Sequence, residues 1–137
     1  GRKPVNTSLN VPRLSEDAKE NSAAYQMLNG ALKPVFDWIC ELVRLHLFFQ
    51  KKWLIRYSLP NCGVSPVYPF GGYVLNINVS TRIHHDTGDQ HICLVLVISD
   101  CVGGELVFKE PGLVLDLKNG DVVIFTSKDI SHFNQHF

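Results

Sequence analysis

The sequence has no C-x-x-C pair, no apolar run of membrane-spanning length, no internal repeat and no low-complexity segment. Its four cysteines, Cys40, Cys62, Cys93 and Cys101, are scattered, and Cys40 and Cys93 lie in strongly apolar stretches, so they read as buried thiols of a reducing compartment. The longest apolar candidate, Ile92 to Ile98, falls far short of the ~20 residues a spanning helix needs. Gly1-Arg2-Lys3-Pro4 is not a signal peptide, and there is no convincing basic import cluster. Net charge is also missing. Thirteen Lys and Arg balance thirteen Asp and Glu, which excludes a polybasic binder working by bulk electrostatics. A soluble, intracellular protein without membrane contact is expected.

What is present suits one folded domain. A chain of 137 residues with 45% hydrophobic content can bury roughly two-thirds of its unfolded surface, enough for one core. With 19% charged residues it is too apolar for a disordered chain. The charges are unevenly placed: residues 1–60 hold nine Lys/Arg against five Asp/Glu, and residues 61–137 hold four against eight. A basic half beside an acidic, His-rich half suggests a surface for an anion and a pocket for a cation; scattered solvated charges give the same arithmetic.

Residues 1–14 read as an extended basic arm, and residues 15–137 as a single domain. Ser15 is a candidate cap for a helix ending at Gly30, with Glu16 and Asp17 in its first turn. Pro34 then opens a second helix, on which Val35, Trp38, Ile39, Leu42, Leu45, Phe49 and Trp53 recur at steps of three and four, until Pro60. Helical structure is thus expected over about 15–57. Beyond it the period changes to that of strands, over about 67–137. Tyr73, Leu75, Ile77 and Val79 alternate with Val74, Asn76 and Asn78, and Ile92–Ile98 is rich in β-branched residues, as in a strand covered on both faces. Glu105–Phe108 follows Gly103-Gly104, and Pro111-Gly112 breaks that strand. Leu113, Leu115 and Leu117 alternate, and Asn119-Gly120 predicts a tight hairpin returning through Val122–Phe125. Helices first and strands second make an α+β chain, its helices packed on one face of a sheet or barrel.

The sharpest chemical signal is His84-His85-Asp86, followed at a distance by His132. In extended chain residues 84 and 86 point the same way and 85 the opposite way, so His84 and Asp86 can share a metal ion. A distant histidine completes a facial group of two histidines and one carboxylate, which leaves half the coordination sphere open and marks non-haem Fe(II) oxygenases. An isolated H-x-D is also common in surface loops, and a lone histidine after a hairpin is often a core residue. Three features favour the metal: five of six histidines fall in the last 54 residues, His132 follows the hairpin region, and a Gly-Gly strand lies between. His85 is placed outside the ligand set. A zinc hydrolase is disfavoured, because catalytic zinc sites gather three strong donors in a tetrahedron without a co-substrate pocket.

The stretches Val74–Asp89, Ile92–Leu96, Gly103–Phe108, Asn119–Phe125 and Ser131–Asn134 resemble the 2-oxoglutarate/Fe(II) dioxygenase domain shared by TET and J-binding proteins, with fungal, mushroom-type members most similar. The resemblance covers about residues 34–137. It implies a jelly-roll-like double-stranded β-helix with His84, Asp86 and His132 as iron ligands. It also implies that oxidative decarboxylation of 2-oxoglutarate to succinate and CO2 drives oxidation of a methyl group on a nucleobase in DNA, 5-methylcytosine first and N6-methyladenine second. A nuclear location and a monomeric state accompany that expectation.

In such proteins an Arg on the strand after the distal histidine pairs with the far carboxylate of 2-oxoglutarate, since a guanidinium fork matches a carboxylate with two parallel bonds. That position falls past Phe137, so the chain is expected to stop before its final strand. Arg82, in phase with His84, is a candidate for the near carboxylate; an exposed strand Arg is the alternative. Asn76, Asn78 and Asp89 are candidate readers of an extruded base, because amides donate and accept while a carboxylate accepts from an exocyclic amine. Phe70 and Tyr73 are either stacking surfaces or core. Lys51, Lys52 and Arg56, with Arg2, Lys3 and Arg13, are candidate phosphate contacts. The alternatives are a dioxygenase acting on protein or a small molecule, and a non-catalytic DNA-binding β-helix lacking the co-substrate Arg.

Overall fold

The computed structural model describes residues 16–46, 65–89 and 92–137. Ser15, the basic arm, Phe49, Trp53 and the candidate phosphate contacts Lys51, Lys52 and Arg56 lie outside the described residues. The chain divides into two compact units, Gly1–Leu75 and Asn76–Phe137. It combines helix with antiparallel sheet, the α+β class expected from the sequence.

The first unit contains α1 (Glu16–Glu20) and α2 (Ser22–His46). The break falls at Asn21, whose carbonyl accepts the Tyr25 N–H at 2.9 Å, so Asn21 occupies the N-cap position that its residue type favours. The expected break at Gly30 is not found, and α2 runs through both Gly30 and Pro34. Proline inside a helix costs about 3 kcal/mol, because it lacks an N–H and crowds the carbonyl four residues back. What offsets this is a continuous inward stripe: Tyr25, Leu28, Leu32, Phe36, Ile39 and Val43, at steps of three and four, are buried or half-buried. Tyr73 lies along that stripe. Its ring stacks near Tyr25 and packs 5.0 Å from Phe36, and its hydroxyl donates to Asn29 Oδ1 at 2.8 Å. Tyr73 therefore braces α2 on both sides of Pro34, which assigns it to packing. The stripe matches the expected one in part: Ile39 is buried and Val35 and Leu42 are half-buried. Trp38 and Leu45 remain 45% and 59% exposed, since Phe36 and Val43 take the inward positions.

The second unit is built from β1 (Cys93–Leu96), β2 (Leu106–Phe108), β3 (Leu113–Leu115), β4 (Val122–Phe125) and β5 (His132–Asn134). They form two antiparallel sheets, β1-β4 and β3-β2-β5, without a closed barrel among the described residues. Leu106 and Phe108 from one sheet meet Phe125 from the other, with Phe108 and Phe125 ring centres 4.5 Å apart. Cys93, Val95, Leu115, Leu117, Val123 and Ile130 surround this centre.

Three strand expectations change. Residues 73–79 form no strand, and Leu75, Ile77 and Val79 are exposed; Asn78 has φ of 52°, which turns the chain out of the extended conformation a ladder requires. The Ile92–Ile98 run yields only β1, half-buried along its length and paired on one edge. Asn119-Gly120 does not fold β4 back on β3. Only Gly120 has positive φ, and the Asp121 N–H bonds the Lys118 carbonyl, the pattern of a type II turn rather than of a two-residue hairpin. The turn passes the chain between sheets: β4 pairs with β1, and β3 pairs with β2 through the Lys109–Gly112 turn.

The Gly-Gly pair works differently from a simple strand start. Gly103 has φ of 91°, and a Cβ there would stand 2.9 Å from the His136 carbonyl oxygen. Gly103→Ala is accordingly expected to lower stability by about 1–3 kcal/mol in chemical denaturation. Gly71→Ala, which meets nothing within 4 Å, should change it far less.

Candidate metal centre

Two carbonyls fix the histidines. In each case the ring nitrogen Nδ1 sits against the backbone carbonyl two residues earlier: His84 against Arg82 at 2.7 Å and His132 against Ile130 at 3.0 Å. A carbonyl only accepts, so Nδ1 carries the proton and Nε2 of the neutral ring keeps its lone pair. Those two Nε2 atoms face Asp86, at 3.8 Å from Oδ1 for His84 and 3.7 Å from Oδ2 for His132. One ligand atom from each of the three residues lies within 4.8 Å of the others.

The backbone brings them there. His84 and His132 form an antiparallel bridge, exchanging N–H···O=C bonds of 3.1 and 2.8 Å. On its other side His132 pairs with Phe108 across β2, and its ring meets Phe125 edge-on at 4.9 Å. Asp86 is tied separately, its N–H donating to the Ser127 carbonyl at 3.0 Å. The resulting exposure is one-sided: the His132 side chain is 10% exposed, while His84 and Asp86 are 42% and 40% exposed. A metal held here rests on the Phe125–Phe108 core and opens to solvent past His84 and Asp86.

The distances suit an ion. Nitrogen and oxygen donors bind such metals at about 2.0–2.2 Å, so two ligands of one ion stand no more than ~4.4 Å apart. Both histidine–carboxylate separations fall inside that limit. A donor set of two imidazoles and one carboxylate fits a divalent transition metal and leaves coordination positions free.

Several polar groups that the sequence did not reveal support the centre. Ser131, one residue before His132, gives its N–H and its hydroxyl proton to Glu110, at 2.7 and 2.6 Å. These bonds hold the Glu110 carboxyl below its usual range. With its proton committed, Ser131 Oγ accepts from His85 Nδ1 at 3.2 Å, so His85 turns to a different partner from its neighbours. Buried Ser127 donates its hydroxyl to Asp89. Asp89 also lies with Asp86 and Cys93 in a second group of potential ligands. Burial first, then Asp89 and Asp86, push the Cys93 thiol up to about 11, which keeps it protonated at neutral pH.

The other sequence candidates are not drawn together. Arg82 takes part through its carbonyl; its exposed guanidinium has no ion-pair or hydrogen-bond partner among the described residues. Asn76 and Asn78 are exposed and make no hydrogen bond to the His–Asp–His group. Among the described residues, no helix is long and apolar enough to cross a membrane. No family model, curated protein or solved structure matches the chain.

Three outcomes are expected. Asp86→Ala should remove measurable Co(II) binding in titration calorimetry, because it deletes the donor that both histidines face. Cys93 should react with iodoacetamide at pH 8 much more slowly than exposed Cys101. Since folding raises its pKa from 9.0 to about 11, the Cys93 contribution to stability is complete below pH 9 and lost as pH rises through about 11. Denaturation between pH 8 and 11.5, compared with Cys93→Ala, measures this.

Proposed function

We propose that this chain is an Fe(II)- and 2-oxoglutarate-dependent dioxygenase that oxidises a methyl group on a nucleobase in DNA, with 5-methylcytosine the leading substrate and N6-methyladenine the second. The observation that carries the proposal is the pair of Nδ1-tethered histidines whose Nε2 atoms face one carboxylate. Two imidazoles and one carboxylate hold Fe(II) while leaving sites for a bidentate co-substrate and for O2. With iron and 2-oxoglutarate bound, O2 would be the oxidant: decarboxylation of 2-oxoglutarate to succinate and CO2 would supply two of the four electrons that O2 takes, and oxidation of the unactivated methyl group the other two.

The protein's own residues would do the rest. His84, Asp86 and His132 hold the ion, and the Phe125–Phe108 core shields His132 from water. The exposed flank past His84 and Asp86 is where co-substrate and base approach. Arg82, two residues from His84 and with no guanidinium partner among the described residues, is the candidate cation for a 2-oxoglutarate carboxylate. Asn76 and Asn78 are candidates for reading the base edge, and Asp89 keeps one carboxylate oxygen beyond its bond to Ser127. Lys51, Lys52 and Arg56 are proposed for the phosphate backbone. Two small antiparallel sheets with a shared core are compatible with a double-stranded β-helix, which is the architecture proposed. With DNA as the substrate, a nuclear location is the one proposed.

The test is succinate formation with Fe(II), 2-oxoglutarate and methylated or unmethylated duplex and single-stranded oligonucleotides, with the oxidised base followed by mass spectrometry. Turnover stimulated by a methylated strand and abolished in Asp86→Ala is the expected result. Turnover stimulated by peptides or small molecules alone would move the substrate away from DNA. Metal and DNA binding without succinate would identify a non-catalytic module. Undiminished turnover in Asp86→Ala would remove the metal assignment.

A further inference from the structure

Residues 79–84 deliver His84 to the metal centre, yet they form no strand, and their one backbone ladder contact with β5 is the bridge from His84 to His132. A single bridge leaves an antiparallel segment free to pivot. From that bridge, residue 82 lies opposite 134 and residue 80 opposite 136. The bonds that hold the segment at this distance from the bridge come largely from one side chain, that of Asn134.

Asn134 Oδ1 accepts both the Thr81 backbone N–H and the Thr81 hydroxyl, each at 2.7 Å. Its Nδ2 donates to the Val79 carbonyl at 3.0 Å, and its own N–H donates to Thr81 Oγ1 at 3.2 Å. An amide suits this position because it accepts and donates at once, as a peptide group does. Asn134 therefore completes with its side chain the ladder that the backbones do not make. Its main chain is held independently, since it pairs with Leu106 across β2. The other two ligands have tethers of their own: His132 through β2, and Asp86 through the Ser127 carbonyl. Among the three, the His84 segment is the one that depends on Asn134.

We infer that Asn134 is a positioning residue of the metal centre: its amide clamps residues 79–81 to β5 and so fixes His84 Nε2 opposite Asp86 and His132. It touches no metal itself. The inference rests on the metal-binding part of the function proposed above, not on the identity of the substrate.

Co(II) serves as the probe, with affinity from calorimetry and coordination from the visible spectrum, on full-length wild type, Asn134→Ala, His84→Ala and the double variant. Asn134→Ala is expected to weaken Co(II) binding about 10–100-fold, the range for loss of a group that orients a ligand. Its spectrum should shift toward that of His84→Ala, and in the His84→Ala background it should cost nothing further. Wild-type affinity in Asn134→Ala overturns the inference. An additive loss in the double variant also overturns it, because Asn134 would then act other than through His84. If Asn134→Ala does not fold, Asn134→Asp, which keeps an acceptor for Thr81 but loses the Nδ2 bonds to Val79 and Gln135, and Thr81→Val, which loses only the hydroxyl, replace it. Each should weaken Co(II) binding less, with the same spectral shift, and unchanged binding in both overturns the clamp. Wild type that binds no Co(II) overturns the metal centre itself, a result distinct from any of these.

Discussion

The reciprocal backbone bridge between His84 and His132 is the constraint on which the rest of the centre depends. Its two hydrogen bonds, 3.1 and 2.8 Å, join residues far apart in sequence and set their rings 4.4 Å apart. Because β5 is also paired with β2, the bridge ties the His84 loop to the core of the unit. Asp86 then needs only one turn of chain and one bond to the Ser127 carbonyl to complete the donor set. Without the bridge, two tethered imidazoles would still offer Nε2, but they would not face one carboxylate.

The surroundings combine a buried side with a wet one. His132 is pressed against Phe125 and backed by Phe108, and the adjacent Ser131 is locked to Glu110 by two short bonds. His84 and Asp86 keep much of their surface in water. Ion binding in such a site needs little rearrangement on the buried side and leaves access on the other, the division that the proposed dioxygenase would require. Asp89 adds negative potential beside Asp86, and after burial these two carboxylates contribute to the raised pKa of the Cys93 thiol.

Much of this was legible in the chain. The change from helical to strand periodicity gave the α+β class, and the H-x-D phase placed His84 with Asp86 and His85 elsewhere. What misled was local punctuation. Gly30 and Pro34 looked like a helix boundary, but the stripe from Tyr25 to Val43 and the brace of Tyr73 outweigh their cost. Asn119-Gly120 looked like a hairpin, but β4 pairs with β1 along four residues. The alternation in Tyr73–Val79 looked like a strand, and Asn78 turns the chain out of it. The supporting residues Ser127, Ser131, Glu110 and Asn134 left no signal in spacing, because each meets a partner remote in sequence.

The sequence by itself determined which donors exist and which of them share a face, since alternation along an extended chain is a covalent property. It also determined the neutral charge balance and the apolar stretches that build the core. The tertiary structure decided that His132 meets His84, that both present Nε2 to Asp86, and that one side of the centre stays open. Those features depend on hydrogen bonds between distant segments, and the geometry of such bonds is set only when the strands dock.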